Sequence, residues 1–337
     1  MSNTNDNKAR LRTNTTKDAA KSTDTSILKS KDASFSLLSQ TSLPSTTASV
    51  SFTPGTRLAE FITATRACIR VIQALLYSYI TTYVAYGSAA TVHRGGAMDN
   101  TLLIIGDDFA AGVGDSATLG SVPGLARFLA RELTKESKIK QTWSIFNCGI
   151  KDSTSADWLP LSEKDSSQTE PTYFEKLFEK PKYAKAQVII LMVGFNDSRI
   201  KSESTTQLEI SPEQTMANIH GICKVLGNMG KDVFVCPVVN TGDSFVSDDL
   251  IEKNMRRNEM IFEYTCRGDK KHVFAGPKID VFNYEYRVDR YYADDKIHFS
   301  DKGYDKFAKD FVDVLANRLV QIEFSKFAKA LGLKLTA

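Results

Sequence analysis

From about residue 97 onward the sequence predicts the α/β class: a parallel sheet of about five strands with helices on both faces. Three observations carry this. Short apolar runs rich in β-branched residues, at 102–105, 143–146, 188–193, 233–238 and 273–275, alternate with helix-forming stretches near 122–136, 213–229, 246–265 and 302–320. Strands that alternate with helices imply a parallel sheet with crossover connections. The runs are apolar throughout, with no in/out alternation, as strands buried on both faces are. Glycine, asparagine and aspartate cluster just after the runs, and in such sheets ligands sit outside the carboxyl ends of the strands.

The 337 residues include 43 Lys and Arg against 40 Asp and Glu, a formal net charge of +3. No basic run is interleaved with aromatics, which argues against a nucleic-acid partner. Cys68, Cys148, Cys223, Cys236 and Cys266 are scattered, with no CxxC pair and no nearby histidine cluster. That spacing argues against a zinc site and a disulfide framework alike, and fits free thiols.

Residues 1 to about 55 are rich in Ser, Thr, Lys and Asp and poor in large apolar side chains. Such a segment cannot offset its ordering entropy by burial, so a disordered tail is expected. A transit peptide would be acid-poor, and Asp6, Asp18, Asp24 and Asp32 speak against one. Residues 58–92, within a 56–96 segment, carry apolar residues at helical period and read as one long helix. No charge falls between 71 and 92, a length that spans a bilayer. Six Ser, Thr and Gln residues dilute its apolar character. Two readings stay open: a helix packed on protein, or a membrane anchor, and with them a cytoplasmic or a membrane-associated location.

The first apolar run ends in Gly106-Asp107-Asp108, followed by Gly112-Val113-Gly114. Glycines there permit a tight strand-to-helix turn. The spacing fits neither a P-loop nor the GxGxxG dinucleotide fingerprint. The second run ends in Asn147-Cys148-Gly149, and the third in Gly194-Phe195-Asn196-Asp197. Before the last helix stands Asp295-Lys296-Ile297-His298. Each fragment alone is a common turn or cap. In this order, each after a predicted strand or before the last helix, they are far more specific.

Together these fragments resemble the SGNH (GDSL-like) hydrolase and esterase family over roughly residues 100–320. The resemblance implies a flavodoxin-like three-layer α/β/α sandwich for residues 97–337. It implies hydrolysis of a carboxylic ester or acyl group without metal or organic cofactor, with a small-molecule ester or acylated compound as substrate. By the same resemblance His298 is the general base and Asp295 its orienting carboxylate. Gly149, through its N–H, and Asn196, through its amide, are oxyanion donors, joined by the N–H of residue 108. Imidazole suits a base near neutral pH. A carboxylate beside it fixes its tautomer.

The sequence departs from the family in two places. Position 108, where the nucleophilic serine is expected, is aspartate. A second Gly-Asp-Ser, Gly114-Asp115-Ser116, lies past the turn, so Ser116 reads as a loop residue. Lys151-Asp152 stands where a small residue and glycine are usual. Asp108 is ionised at neutral pH and needs no base to activate it. Beside His298 it would keep the imidazole protonated and place charge near the oxyanion donors. Two functions are therefore weighed: an esterase working through a modified Asp108/His298/Asp295 site, or an inactive relative that binds a ligand in the same cleft. A membrane tether through 58–92 is compatible with either.

Overall fold

The computed structural model describes residues 61–66, 68, 69, 72, 76, 86–115, 121–164, 170–198, 209–239, 247–267, 270–279 and 289–333. The predicted tail over 1–55 lies outside the described residues.

The strands are β1 (Ala89–Val92), β2 (Asp99–Gly106), β3 (Thr142–Gly149), β4 (Val188–Met192), β5 (Asp232–Val235) and β6 (Val273–Ala275). They form one sheet in the order β1-β3-β2-β4-β5-β6. All neighbours run parallel except β1, which pairs antiparallel with β3. β2 and β4 are central and buried almost throughout, which is why their sequences show no alternation.

The helices are α1 (Asp108–Ala111), α2 (Leu125–Lys135), α3 (Tyr173–Phe178), α4 (Pro181–Ala184), α5 (Pro212–Asn228), α6 (Asp248–Cys266) and α7 (Asp301–Ala330). They cover both faces of the sheet, α2 packing on α7 and α5 on α6. The starts of the long helices are written in the sequence. Ser211, Ser247 and Ser300 each accept a bond from a first-turn N–H of α5, α6 and α7, satisfying one of the orphan donors of a helix start. Acidic residues Glu213, Asp248, Asp249 and Asp301 follow them, matched to the positive end of the helix dipole.

The sheet has six strands rather than five. The extra one, β1, falls inside the stretch expected to be helical to residue 92. Residues 61–66, Cys68, Ile69, Ile72 and Leu76 are helical, but Gly87 turns the chain at φ 73°. Its N–H donates to Asn147 O at 2.6 Å, and Ser88 O accepts from Asn147 N at 2.9 Å. Ala89-Ala90-Thr91-Val92 then adds to the edge of β3. Four residues are too few for a helical period to be told from a strand. Among the described residues no helix is long and apolar enough to cross a membrane.

Candidate active site

The site forms where β2, β3 and β4 deliver their carboxyl ends. Gly106 closes β2 at φ 135°, and a Cβ there would overlap the Met192 carbonyl, so only glycine lets β2 and β4 converge this closely. Asp107 follows. Its carboxylate caps α1 by accepting from Phe109 N at 3.1 Å, and ties α1 to β4 by accepting from Phe195 N at 3.1 Å. Burial, and then the neighbouring Asp108 charge, push the Asp107 carboxyl well above the ordinary carboxylate range.

Asp108 opens α1 and is buried. Its Oδ1 accepts from the Asp152 backbone N–H and from Asn196 Nδ2, the latter at 3.1 Å. Its Oδ2 lies 3.1 Å from His298 Nε2. His298 Nδ1 is 2.7 Å from Asp295 Oδ2, and Asp295 Oδ1 accepts from the N–H groups of Ile297 and His298. The Ser300 cap of α7, two residues on, fixes where this loop enters the helix. The rings of Phe109 and Phe195 flank the imidazole, each with its centroid 5.5 Å away.

Asp108, Asn196, Asp295 and His298 thus lie together in one hydrogen-bonded chain. Gly149 does not join it. Its N–H donates to Asn147 Oδ1 at 3.2 Å, and a Cβ on it would overlap the backbone of Ala110 and Ala111. Gly149, expected as an oxyanion donor through its N–H, has that N–H on Asn147 Oδ1, and lets α1 seat on β3. The N–H that reaches Asp108 belongs to Asp152, three residues further along. Asp152 sits at φ 62°, in the left-handed region that glycine, and less often asparagine or aspartate, occupies. Its side chain is exposed, so Lys151-Asp152 supplies a donor to the pocket through the backbone. The signal was present: a non-glycine where the family turn has glycine.

A second layer holds the two donors in place. Asn196 Nδ2 also donates to Ser153 O at 3.1 Å. Asp197 accepts from Ser155 N, Ser155 Oγ and Thr215 Oγ1 at 2.8, 2.6 and 2.6 Å. Thr215 Oγ1 accepts in turn from Arg257 Nε at 3.0 Å. The Asp197 carboxylate therefore bolts the 153–155 loop, which follows Asp152, onto the turn that carries Asn196. The second Gly-Asp-Ser is different. Asp115 is buried, accepting from Gly124 N and from Arg127, while Ser116 lies outside the described residues.

The electrostatics follow from the contacts. Burial would raise the Asp108 carboxyl, but His298, the Asp152 N–H and Asn196 outweigh it and hold it below its ordinary value. Burial would lower the His298 imidazole, but Asp108 and Asp295 outweigh it and raise it. For Asp295 the bonds from His298 and the loop N–H groups overcome burial and bring it to about 2. Both shifts favour an imidazolium held between two carboxylates. Among the described residues no cluster of His, Cys, Asp and Glu could hold a metal ion.

The parallel sandwich, with an acidic residue at the first strand end, an asparagine at the third and a histidine–aspartate pair before the last helix, is that of an SGNH-type α/β hydrolase. The chain belongs to the GDSL-like lipase/acylhydrolase family, whose model matches residues 104–306. No curated protein sequence matches it. Among solved structures it is similar to a GDSL-like lipase described as putative from Parabacteroides merdae, at 15% identity and a TM-score of 0.47, over 67% of this chain and 98% of that one. It is also similar to Axe2, an acetylxylan esterase from Geobacillus stearothermophilus, at 14% identity and a TM-score of 0.45, over 68% and 95%. A third similar structure is LAE5, an alpha/beta hydrolase enzyme from the metagenome of Lake Arreo, Spain, at 15% identity and a TM-score of 0.48, over 67% and 97%.

Proposed function

We propose that this chain hydrolyses acyl compounds with good leaving groups, such as aryl esters or thioesters, through an acyl-enzyme intermediate on Asp108. One observation carries this reading. Asp108 Oδ1 lies on two preorganised donors while Oδ2 faces the imidazolium.

In the first step Asp108 Oδ2 attacks the acyl carbon. The bond to the leaving oxygen or sulfur breaks, and the proton on His298 Nε2 goes to that atom. A mixed anhydride remains on Asp108. Loss of the Asp108 charge leaves the imidazole with Asp295 as its single carboxylate partner, neutral and able to act as a base. Water then attacks Asp108 Cγ and gives a proton to His298 Nε2. Charge develops on Oδ1, where the Asp152 N–H and Asn196 Nδ2 already point, the arrangement that stabilises an oxyanion. The anhydride bond breaks, the acyl group leaves as a carboxylate, and Asp108 loses its remaining proton to solvent.

The leaving group is constrained by chemistry. With a simple alkyl ester, carboxylate departs from the tetrahedral adduct far more readily than alkoxide, so the adduct reverts. Aryl oxide and thiolate compete better.

A single turnover of p-nitrophenyl acetate in heavy-oxygen water tests the route. One heavy oxygen is expected in the peptide containing Asp108, with unlabelled acetate released. Label confined to acetate would refute attack at Asp108 Cγ. A second reading, a non-hydrolytic binder, rests on both Asp108 oxygens being engaged already. No turnover of any aryl ester or thioester would select it.

A further inference from the structure

The two oxygens of Asp108 stand in different surroundings, and each suits a different half of a reaction. Oδ1 accepts from the Asp152 N–H and from Asn196 Nδ2. Both donors are therefore aimed at charge on the aspartate's own oxygen. Such charge develops when water attacks Asp108 Cγ, the carbonyl carbon of an ester formed on this side chain. Neither donor is placed for an oxyanion on the substrate. Oδ2 faces His298 Nε2 at 3.1 Å, so the attacking oxygen stands beside an acid. Asp295 holds the far nitrogen of that imidazole at 2.7 Å.

This arrangement fits an electrophile that takes one proton as it is attacked and leaves an ordinary ester on Asp108. Attack on an sp3 carbon leaves such an ester, with no tetrahedral adduct to revert. Among sp3 electrophiles the proton selects the class. An alkyl halide departs as an anion and takes no proton, so His298 would still be protonated when a base is needed to activate water. An epoxide needs one proton on its ring oxygen, and giving it up turns His298 into a neutral base at the required moment. Ring strain replaces the good leaving group that acyl attack demands.

We propose that the site opens small epoxides to vicinal diols through an alkyl ester of Asp108. Asp108 Oδ2 attacks a ring carbon, the bond from that carbon to the ring oxygen breaks, and the proton on His298 Nε2 goes to that oxygen. A β-hydroxyalkyl ester and a neutral imidazole remain. Water attacks Asp108 Cγ and gives a proton to His298, and the negative charge on Oδ1 meets the Asp152 N–H and Asn196 Nδ2. The Cγ–Oδ2 bond breaks, and the departing diol oxygen takes the proton from His298. Asp108, now a carboxylic acid, gives its own proton to His298. The cycle consumes one epoxide and one water, sheds no proton and restores the pair of carboxylate and imidazolium. It shares Asp108 as nucleophile with the proposed acyl hydrolysis and differs from it in the substrate, so each is tested on its own compound.

The full chain is mixed with styrene oxide and, separately, with p-nitrophenyl acetate. Phenylethanediol is measured by chromatography, acid-quenched protein is digested and weighed, and a single turnover is run in heavy-oxygen water. Diol formation above the buffer rate is expected, with a styrene oxide adduct on the peptide containing Asp108. Heavy oxygen should enter that peptide and not the diol. Asp108→Asn should form no adduct. Asn196→Ala should still form it but hydrolyse it about 10²–10³-fold more slowly, so that the adduct approaches one per chain. Neither diol nor adduct in the wild type would overturn the proposal, as would heavy oxygen in the diol or an Asn196→Ala protein that clears the adduct at the wild-type rate. Diol formation without turnover of p-nitrophenyl acetate would keep the epoxide reaction and retire the acyl reading. Turnover of p-nitrophenyl acetate that labels Asp108, with styrene oxide untouched, would do the reverse.

Discussion

Asp108→Ser separates what the carboxylate does from what its surroundings are built to do. In the wild type Asp108 and His298 form a buried pair, with side chains 3% and 8% exposed. Breaking a buried pair by removing one partner costs about 3–5 kcal/mol. His298 keeps Asp295 at 2.7 Å and can go neutral, so a loss near the lower end, about 3 kcal/mol, is expected. Urea denaturation at pH 7 measures it. The same change frees two donors, the Asp152 N–H and Asn196 Nδ2, each worth about 3 kcal/mol of barrier when aimed at an oxyanion. It also leaves a neutral imidazole beside the new hydroxyl, and a general base contributes about 10²–10⁴-fold. Esterase activity on a simple alkyl ester should therefore rise at least about 10²-fold over wild type, and His298→Ala in that background should remove most of the gain. A folded Asp108→Ser protein with no rise in rate would refute the idea that these donors are preorganised for acyl transfer.

Three further outcomes follow from the same contacts. Gly149→Ala keeps the N–H but drives a methyl into the Ala110–Ala111 backbone; thermal unfolding should show a loss of about 2–3 kcal/mol, and a stability like wild type would mean that Gly149 is not a packing residue. Asp152→Gly relieves a left-handed conformation that aspartate tolerates better than most residues, against about 0.4–1 kcal/mol of added chain entropy, so a stability within about 1 kcal/mol of wild type with the Asp108 contact intact is expected in denaturant titrations. Asp295→Asn should destabilise by an amount that depends on pH. The Asp295 carboxyl is drawn from 3.8 to about 2, worth about 2 kcal/mol at full strength. Its side chain is 41% exposed, so about 1 kcal/mol survives screening. Because the folded value is the lower one, this stabilisation is complete above 3.8 and lost as pH falls through about 2. A wild-type minus variant difference that stays constant from pH 7 to pH 2 would contradict it.

The fold was legible because its signals are local and repeated. Apolar runs such as 188–193 are buried on both faces in β4, and serine caps stand at the starts of α5, α6 and α7. β1 was not legible, since four residues of an edge strand carry no period and the preceding apolar stripe ran into them. The helix expected to end near 320 continues to Ala330, because Glu323, on its last turns, is held by Lys140 N, Gln141 N and Trp143 Nε1, a tertiary contact that helix propensity does not encode. At the candidate site, Asp108, Asn196, Asp295 and His298 were singled out by their order along the chain and by the family resemblance, and they lie within hydrogen-bond reach of one another. The donor beside Asn196 was misplaced by three residues. Lys151-Asp152 in place of a small residue and glycine marked the turn, but which backbone N–H points inward depends on the φ of Asp152, which the residue type alone does not fix.

The charge balance of the site bears on which step limits the proposed reaction. Asp107, Asp108, Asp197 and Asp295 gather around one imidazolium. Asp197 is met by three donors, with Arg257 behind Thr215. Asp295 is partly in solvent. Among the described residues Asp107 has two N–H partners and no cation, and burial drives it toward the neutral form. One negative charge therefore sits in the donor pocket from the start, on Asp108 Oδ1. A serine centre begins neutral and gains its oxyanion there. In the proposed route the aspartate centre begins with that place taken. The attack of Asp108 Oδ2 on substrate moves charge out of the pocket and onto a substrate oxygen that these two donors do not reach. The attack of water on Asp108 Cγ brings it back onto Oδ1. Formation of the anhydride should thus be slower than its hydrolysis, and the intermediate should not accumulate. Stopped-flow release of p-nitrophenolate should be linear from the first turnover in the wild type. A burst matching the enzyme concentration would show that acylation is the faster step, and the charge argument would fail.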